Sequence, residues 1–305
     1  MKLALVLNRH AGTLRGMDAE QAARDLTAIF AEAGHAVTTT LAEGRGVMDA
    51  LRTAAKAHGT EAIVAGGGDG TISGAAGIAA DARLPLGVLP LGTMNLFARS
   101  LALPTDMKEA AAAIAASTPR AVDIGKANDR VFIHVVSLGL HPAMVAEREK
   151  REHGSRWTKM IGSAGAWARV LRKPRRFRLT IGTDGERIET DTIGAVVSNN
   201  PLGKGHLPYA DRLDGGILGL YVTTATTRGE ILRVTAGAAL GALGESPLVK
   251  YRSTTAVDIA ITSARGVPVT IDGELMRLTG KLHIATVPGG LTVLAPAVSP
   301  SASAA

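Results

Sequence analysis

The 305 residues, 46% apolar and 20% charged, can bury the cores of two modest domains, which excludes a largely disordered chain. Without cysteine there are no disulfides, thiolate metal sites or thiol nucleophiles, so chemistry falls to oxygen and nitrogen groups; a cytoplasmic setting, which is the expectation, is compatible with this but not required by it. The net charge of +7 is concentrated: residues 148–178 hold eleven Lys or Arg against two Glu, with few aromatic residues for base stacking, so nucleic acid is not the expected partner.

At the N-terminus, Leu3–Leu7 is too short for a signal-peptide core and reads as a first strand. Nowhere do about 18 uninterrupted apolar residues occur, so membrane contact is expected to be peripheral at most. Short apolar runs then alternate with helical patterns: a helix over Ala19–Ala33, a strand over Ala36–Thr40, a helix over Val47–His58, strands at Ala62–Ala65 and Leu86–Leu89, and a helix over Met94–Ser100. In the first helix Ala22, Leu26, Ile29, Phe30 and Ala33 share a face, Asp18 and Gln21 have capping spacing, and Gly34 suits the stop. This rhythm of βαβ units predicts an α/β fold: a doubly wound parallel sheet with ligand-binding loops at the strand C-termini.

From about residue 122 the texture changes to strand-like stretches, Val131–Ser137, Arg178–Gly182, Thr192–Ser198, Leu218–Thr223 and Ala256–Ile261, predicting a mostly antiparallel, β-rich second domain. One helix is expected over Ser155–Leu171, with Trp157, Ile161, Ala164, Ala168 and Leu171 on a stripe amid basic residues. A second is expected near Arg228–Leu243. The predicted division is 1–122, 123–284 and a tail from Val298, made of Ser, Ala and one Pro, that looks disordered.

The most informative segment is Ile63-Val64-Ala65-Gly66-Gly67-Gly68-Asp69-Gly70-Thr71, a buried strand running into a glycine-rich turn and a helix starting near Thr71. Gly67, Gly68 and Gly70 permit positive φ and close approach, and the helix N-terminus adds partial positive charge, so the turn suits phosphate. It has neither the Gly-Lys-Ser/Thr ending of a Walker loop nor the dinucleotide G-x-G-x-x-G pattern. Asp69 would repel phosphate unless a cation intervened, so its natural roles are Mg²⁺ placement or hydroxyl activation. A second strand-turn-helix block follows at Leu86–Arg99, where Thr93 can donate to a nucleotide and Asn95 can fix the loop or the ligand.

Gly-Gly-Asp-Gly-Thr resembles the nucleotide loop of diacylglycerol, sphingosine and NAD kinases, and Pro90–Arg99 resembles the P-L-G-T-x-N-x-F-A-R loop of the diacylglycerol kinase catalytic-domain family. Asn8 and Gly12 match that family's first phosphate-proximal turn, and Thr40 corresponds to a nucleotide-contacting position. Tyr209–Gly216 resembles its A-x-x-x-D-G segment, which implies Mg²⁺ held by the Asp214 side chain and the carbonyls of Asp211 and Gly216. Asp272-Gly273-Glu274 matches its D-G-E motif, which implies Glu274 as general base assisted by Asp69, although a second such triplet stands at Asp184-Gly185-Glu186.

These blocks make the chain similar to bacterial lipid kinases over roughly residues 3–296. The resemblance implies a β-sandwich second domain, a final segment (285–298) that completes the first domain, and transfer of the γ-phosphoryl of ATP to a lipid hydroxyl with Mg²⁺. Three departures stand out: Ser73-Gly74 replaces a common Asn-Glu pair, and Leu96 replaces a frequent Asp. An NAD kinase-like enzyme and a catalytically weakened nucleotide- or lipid-binding protein, docked to anionic membrane through residues 148–178, are the competing readings.

Overall fold

The computed structural model describes residues 1–149, 175–261 and 266–297. The helix expected over Ser155–Leu171, most of the basic run 148–178 and the tail from Val298 lie outside the described residues. The chain forms two units, one of Met1–Ile124 with the chain from Pro288, the other of Gly125–Val287.

The first unit is a parallel sheet. Its strands are β1 (Lys2–Asn8), β2 (Ala36–Ala42), β3 (Ala62–Gly67) and β4 (Leu86–Pro90), ordered β2-β1-β3-β4. The last residues of β16 (Gly280–Leu294) extend it, with Val293 and Leu294 in register with Leu86 and Gly87. Every residue of β3 and β4 is buried, as the central strands of a sheet covered on both faces must be. The helices are α1 (Ala19–Glu32), α2 (Gly46–Lys56), α3 (Asp69–Ala82), α4 (Leu96–Ser100) and α5 (Met107–Ala115). Asp18 caps α1 by accepting the Gln21 N–H at 3.0 Å, Leu26 and Phe30 are its fully buried face, and Gly34 leaves it at φ +84°. Ala33, expected on that face, is exposed. Because the chain leaves β1 toward β2 on one side while β3 lies on the other, the strand order reverses between β1 and β3. In open α/β sheets, ligands bind beyond the carboxyl ends of strands at such a point.

The second unit is an antiparallel sandwich. One sheet runs β12 (Val249–Thr254), β11 (Leu218–Thr223), β10 (Gly194–Asn199), β7 (Val135–Gly139), β14 (Val267–Ile271), β15 (Glu274–Leu278). A second ladder joins the first half of β16 to β13 (Ala256–Ile261), β8 (Phe177–Thr183) and β9 (Glu186–Thr192). Phe132, Val136, Leu220 and Val269 share one core with Leu179, Val257, Ile259 and Ile284, so the two sheets pack face to face. Helix α6 (Leu140–Glu149) follows β7. Helix α7 (Arg228–Ala239) places Ile231 and Val234 against Tyr221 and Val249.

The strand expected over Val131–Ser137 is two. The hairpin strands β5 (Pro119–Ala127) and β6 (Arg130–Phe132) end before Ile133, and β7 begins at Val135. Between them the N–H groups of Ile133, His134 and Val135 all donate to the Asp272 carboxylate, at 2.9, 3.0 and 2.9 Å. A side chain from the β14–β15 turn takes the place of a neighbouring strand, and pairing breaks there.

Candidate active site

In the first unit three strand-end loops converge at the switch point. Asn8, closing β1, donates from Nδ2 to Thr71 Oγ1 at 3.2 Å and accepts the His10 N–H on Oδ1 at 3.0 Å. The Thr13 N–H donates to the Leu91 carbonyl, and the Leu91 N–H to that of Gly67. Asp69 completes the set: its carboxylate accepts the Asn95 N–H at 3.1 Å and the Leu96 N–H at 2.7 Å, tying the start of α3 to the start of α4.

Helix α3 starts at Asp69, two residues earlier than expected, with Gly68 as its N-cap. None of Gly67, Gly68 and Gly70 has positive φ. Closeness is what demands glycine: a Cβ on Gly67 would lie 2.5 Å from Thr71 Cβ, and one on Gly92 would lie 2.6 Å from the Gly68 Cα. A Cβ on Gly70 would meet nothing within 4 Å, so the outer side of the turn is open. An open α-helical N-terminus preceded by close-packed glycines offers backbone N–H groups and dipole to an anion.

The positive φ falls instead on Asn95, at +51°, which is why α4 begins at Leu96 rather than Met94. Asn95 accepts the Gly92 N–H at 2.8 Å and returns Nδ2 to the Gly92 carbonyl at 3.0 Å, closing the second loop on itself. Thr93 is exposed beside it. Thr40 stands apart: it is exposed in β2, in register with Val6, with β1 lying between it and the glycine turn at the end of β3.

In the second unit, Glu274 opens β15 after a turn with Asp272 at φ +46° and Gly273 at +85°, and its carboxylate is paired with Arg130. The Asp184-Gly185 turn has the same backbone hand, φ +50° and +77°, and joins β8 to β9. Asp214 is exposed and paired with Arg212, with Oδ1 accepting from Nε at 3.1 Å. Asp211 contacts His206 Nε2 at 2.8 Å, and the imidazole stacks on Tyr209. Gly216 takes φ +64°. The loop is fixed from beneath by Asn200, fully buried at φ +64°, whose Oδ1 accepts the Gly215 N–H at 3.0 Å. Among the described residues no three His, Asp or Glu side chains group to hold a metal. A cation at Asp214 would meet a carboxylate, a hard oxygen of the kind Mg²⁺ takes, and would have to displace Arg212.

The sequence placed Asp272 in the D-G-E motif without giving it a role of its own, and did not single out Asn200 or Arg130. Asp-Gly between two apolar runs signals a hairpin turn, and Asn is the commonest non-glycine residue in the left-handed region, so Asp272 and Asn200 left a trace. Arg130 left none.

Two family models cover most of the chain. Residues 2–127 match the diacylglycerol kinase catalytic domain, and residues 135–295 match the YegS C-terminal NAD kinase beta sandwich-like domain. The chain is 31% identical over 257 residues to a diacylglycerol kinase of Mycobacterium tuberculosis (strain H37Rv), covering 81% of this chain and 80% of that one. The chain belongs to the diacylglycerol kinase-like lipid kinase family. It is also 30% identical over 275 residues to the Chromohalobacter salexigens protein named "Probable lipid kinase YegS-like", covering 87% of this chain and 86% of that one. The crystal structure of a diacylglycerol kinase from Bacillus anthracis str. Sterne shares the fold, with a TM-score of 0.71 over 97% of both chains at 20% identity. Among the described residues no helix is long and apolar enough to cross a membrane.

Proposed function

We propose that this lipid kinase family member is an ATP-dependent phosphotransferase that moves the γ-phosphoryl group to a lipid hydroxyl at the cytoplasmic face of a membrane. What carries the reading is the junction at the switch point, where Asp69 clamps the anion-ready start of α3 to the Asn95 loop. The N–H groups of Gly68–Thr71 cradle the phosphates, with Asn8, Thr71, Thr93 and Asn95 shaping the nucleotide's surroundings and Thr40 at its margin. Mg²⁺, held by Asp214 with the carbonyls of Asp211 and Gly216, supplies charge neutralisation when bound. Glu274 takes the acceptor hydroxyl's proton. It is favoured over Asp69 as base because both Asp69 oxygens accept backbone N–H bonds, whereas among the described residues Glu274 is paired with the exposed Arg130. Asp69 then acts by positioning.

The test is incubation of the protein with labelled ATP and Mg²⁺ against diacylglycerol, a sphingoid base, ceramide, a polyprenol, phosphatidylglycerol and NAD. One lipid should be labelled, and Glu274→Gln should abolish its labelling while leaving folding intact. Labelling of NAD alone, ATP binding with no transfer to any lipid, or full activity in Glu274→Gln would each overturn the proposal. Residues 148–178 would draw the protein to anionic lipid, so vesicle binding should rise with anionic content and fall with salt.

A further inference from the structure

Among the described residues five strands have a neighbour on one side only: β2, β6, β9, β12 and β15. An unpaired strand edge is a template for another chain, and proteins blunt it with charged side chains, proline, bulges or shortness. β6 is three residues long and carries Arg130, β9 carries Glu189 and Asp191, β12 carries Lys250, and β15 carries Arg277. β2 has none of these devices. Its seven residues, Ala36-Val37-Thr38-Thr39-Thr40-Leu41-Ala42, include no charge and no proline, and their register against Lys2–Asn8 is unbroken by any bulge. The Ala36 N–H donates to the Met1 carbonyl at 2.9 Å and the Ala42 carbonyl accepts the Arg9 N–H at 3.0 Å, so Ala36, Thr38, Thr40 and Ala42 turn their backbone groups toward β1. The N–H and C=O groups of Val37, Thr39 and Leu41 therefore point out of the sheet, and no described residue pairs with them. The edge is anchored from within the unit, where the Thr39 hydroxyl meets that of Thr27 in α1 at 2.6 Å.

The strand is also a palindrome in residue class: alanine, a branched apolar residue, three threonines, a branched apolar residue, alanine. A two-fold interface demands this, because residue i must fit residue j of the second copy while j fits i. Turned about an axis through Thr39, two copies set Thr39 against Thr39, Val37 against Leu41, Thr38 against Thr40 and Ala36 against Ala42. The outward groups of Val37, Thr39 and Leu41 then fall into directly opposed pairs that exchange about six hydrogen bonds, and the threonine pairs meet side by side. One position beyond the strand, His35 comes opposite Glu43 of the second copy. The Met1 ammonium stands on His35 Nδ1 at 3.2 Å, and Glu43 is exposed, so opposite charges meet at both ends of the pairing.

We propose that β2 is a dimer interface, pairing antiparallel with β2 of a second copy of this chain so that two parallel sheets of the first unit become one. The two sheets then run in opposite directions. Their carboxyl strand ends, which carry the loops of the candidate active site, open on opposite sides of the joined sheet. The pairing stands on the strand alone, whatever reaction those loops support.

The experiment is sedimentation velocity of the full chain at micromolar concentration, with and without Thr39→Pro. Because the Thr39 N–H faces outward, proline there removes no bond to β1, and edge strands accept proline at such positions. The unsubstituted protein should sediment as a dimer, and Thr39→Pro as a monomer with an unchanged circular dichroism spectrum. A monomeric unsubstituted protein, or a folded Thr39→Pro that stays dimeric, overturns the proposal. Register is read separately in single-cysteine variants, since the chain has no cysteine of its own. Under mild oxidation Thr39→Cys should yield a disulfide-linked dimer, its two Cα atoms lying about 5.5 Å apart across the two-fold, within reach of a disulfide. Ala36→Cys should stay unlinked, because its counterpart lies about 20 Å further along the strand. If Thr39→Pro fails to fold, the cysteine variants decide: linkage in both alike, or in neither, overturns the pairing.

Discussion

Replacing Asp272 by Asn tests whether one carboxylate joins the β14–β15 turn to the start of β7. Oδ1 accepts the His134 and Val135 N–H groups and Oδ2 that of Ile133. An amide offers a single oxygen, so at best two bonds survive, now to a neutral acceptor, while the NH₂ faces the Ile133 N–H. A hydrogen bond to a charged group contributes about 1.5–3 kcal/mol and a neutral one about 1. Losing one and weakening two should therefore cost about 3 kcal/mol. Asn tolerates the left-handed backbone at φ +46°, so that term stays small; Asp272→Ala should add about 1 kcal/mol for it. The assay is urea unfolding followed by intrinsic fluorescence, which reports this unit because both tryptophans and all three tyrosines fall within Gly125–Val287. A midpoint for Asp272→Asn corresponding to less than about 0.5 kcal/mol would mean that water serves the three N–H groups as well, and the account of the strand break would fail.

Other outcomes follow from the same contacts. Gly92→Ala places a Cβ 2.6 Å from the Gly68 backbone and should cost about 1–3 kcal/mol by overpacking, read by thermal unfolding, together with loss of ATP binding by calorimetry. Asn95→Ala removes the Gly92 bonds and puts an alanine at φ +51°, so KM for ATP should rise and stability should fall by about 2 kcal/mol. Thr227→Ala removes the cap of α7, where the hydroxyl accepts the Glu230 N–H at 3.3 Å, and should cost about 1 kcal/mol in urea unfolding. Bonds from the Thr226 and Thr227 N–H groups hold the Glu230 carboxyl down at about 2, against 4.5 unperturbed. Its stabilisation is therefore complete above pH 4.5 and is lost as pH falls toward 2, and Glu230→Gln should lack that part of the acid dependence in a pH series of unfolding midpoints.

The parallel half was legible because its signals are local. Apolar runs in β1, β3 and β4 alternate with helices whose caps and stops, Asp18 and Gly34, are written in the sequence. Glycine loops could be placed at strand ends, but the reason for each glycine could not: the Thr71 atoms that crowd Gly67 depend on how the turn enters α3, and the Gly68 atoms that crowd Gly92 come from tertiary approach. The sandwich was legible as strands and illegible as pairing. Nothing near Ile133 announces that its N–H will meet Asp272, 139 residues later. Likewise Asn200 reaches Gly215 only once the loop has folded back.

The same distinction bears on Ser73, Gly74 and Leu96, where the chain departs from its family's usual residues. Leu96 contributes to the Asp69 clamp through its backbone N–H, which any residue but proline supplies, so the missing Asp leaves that junction intact. Gly74 answers to packing: a Cβ there would lie 2.5 Å from Met48 Sδ, so α3 and α2 approach at a point where a Glu could not be seated without moving Met48. Met48 and Gly74 therefore form a matched pair, one filling the space the other leaves. Restoring an acidic side chain at 74 should require the flexible end of the half-buried Met48 to move aside, whereas Leu96→Asp should be accepted with no such movement, being half-buried at the first position of α4, where a carboxylate favours the helix dipole. The departure at Leu96 thus leaves the positioning of the two glycine-containing loops unchanged, and any difference it makes has to be sought in what its side chain offers a ligand.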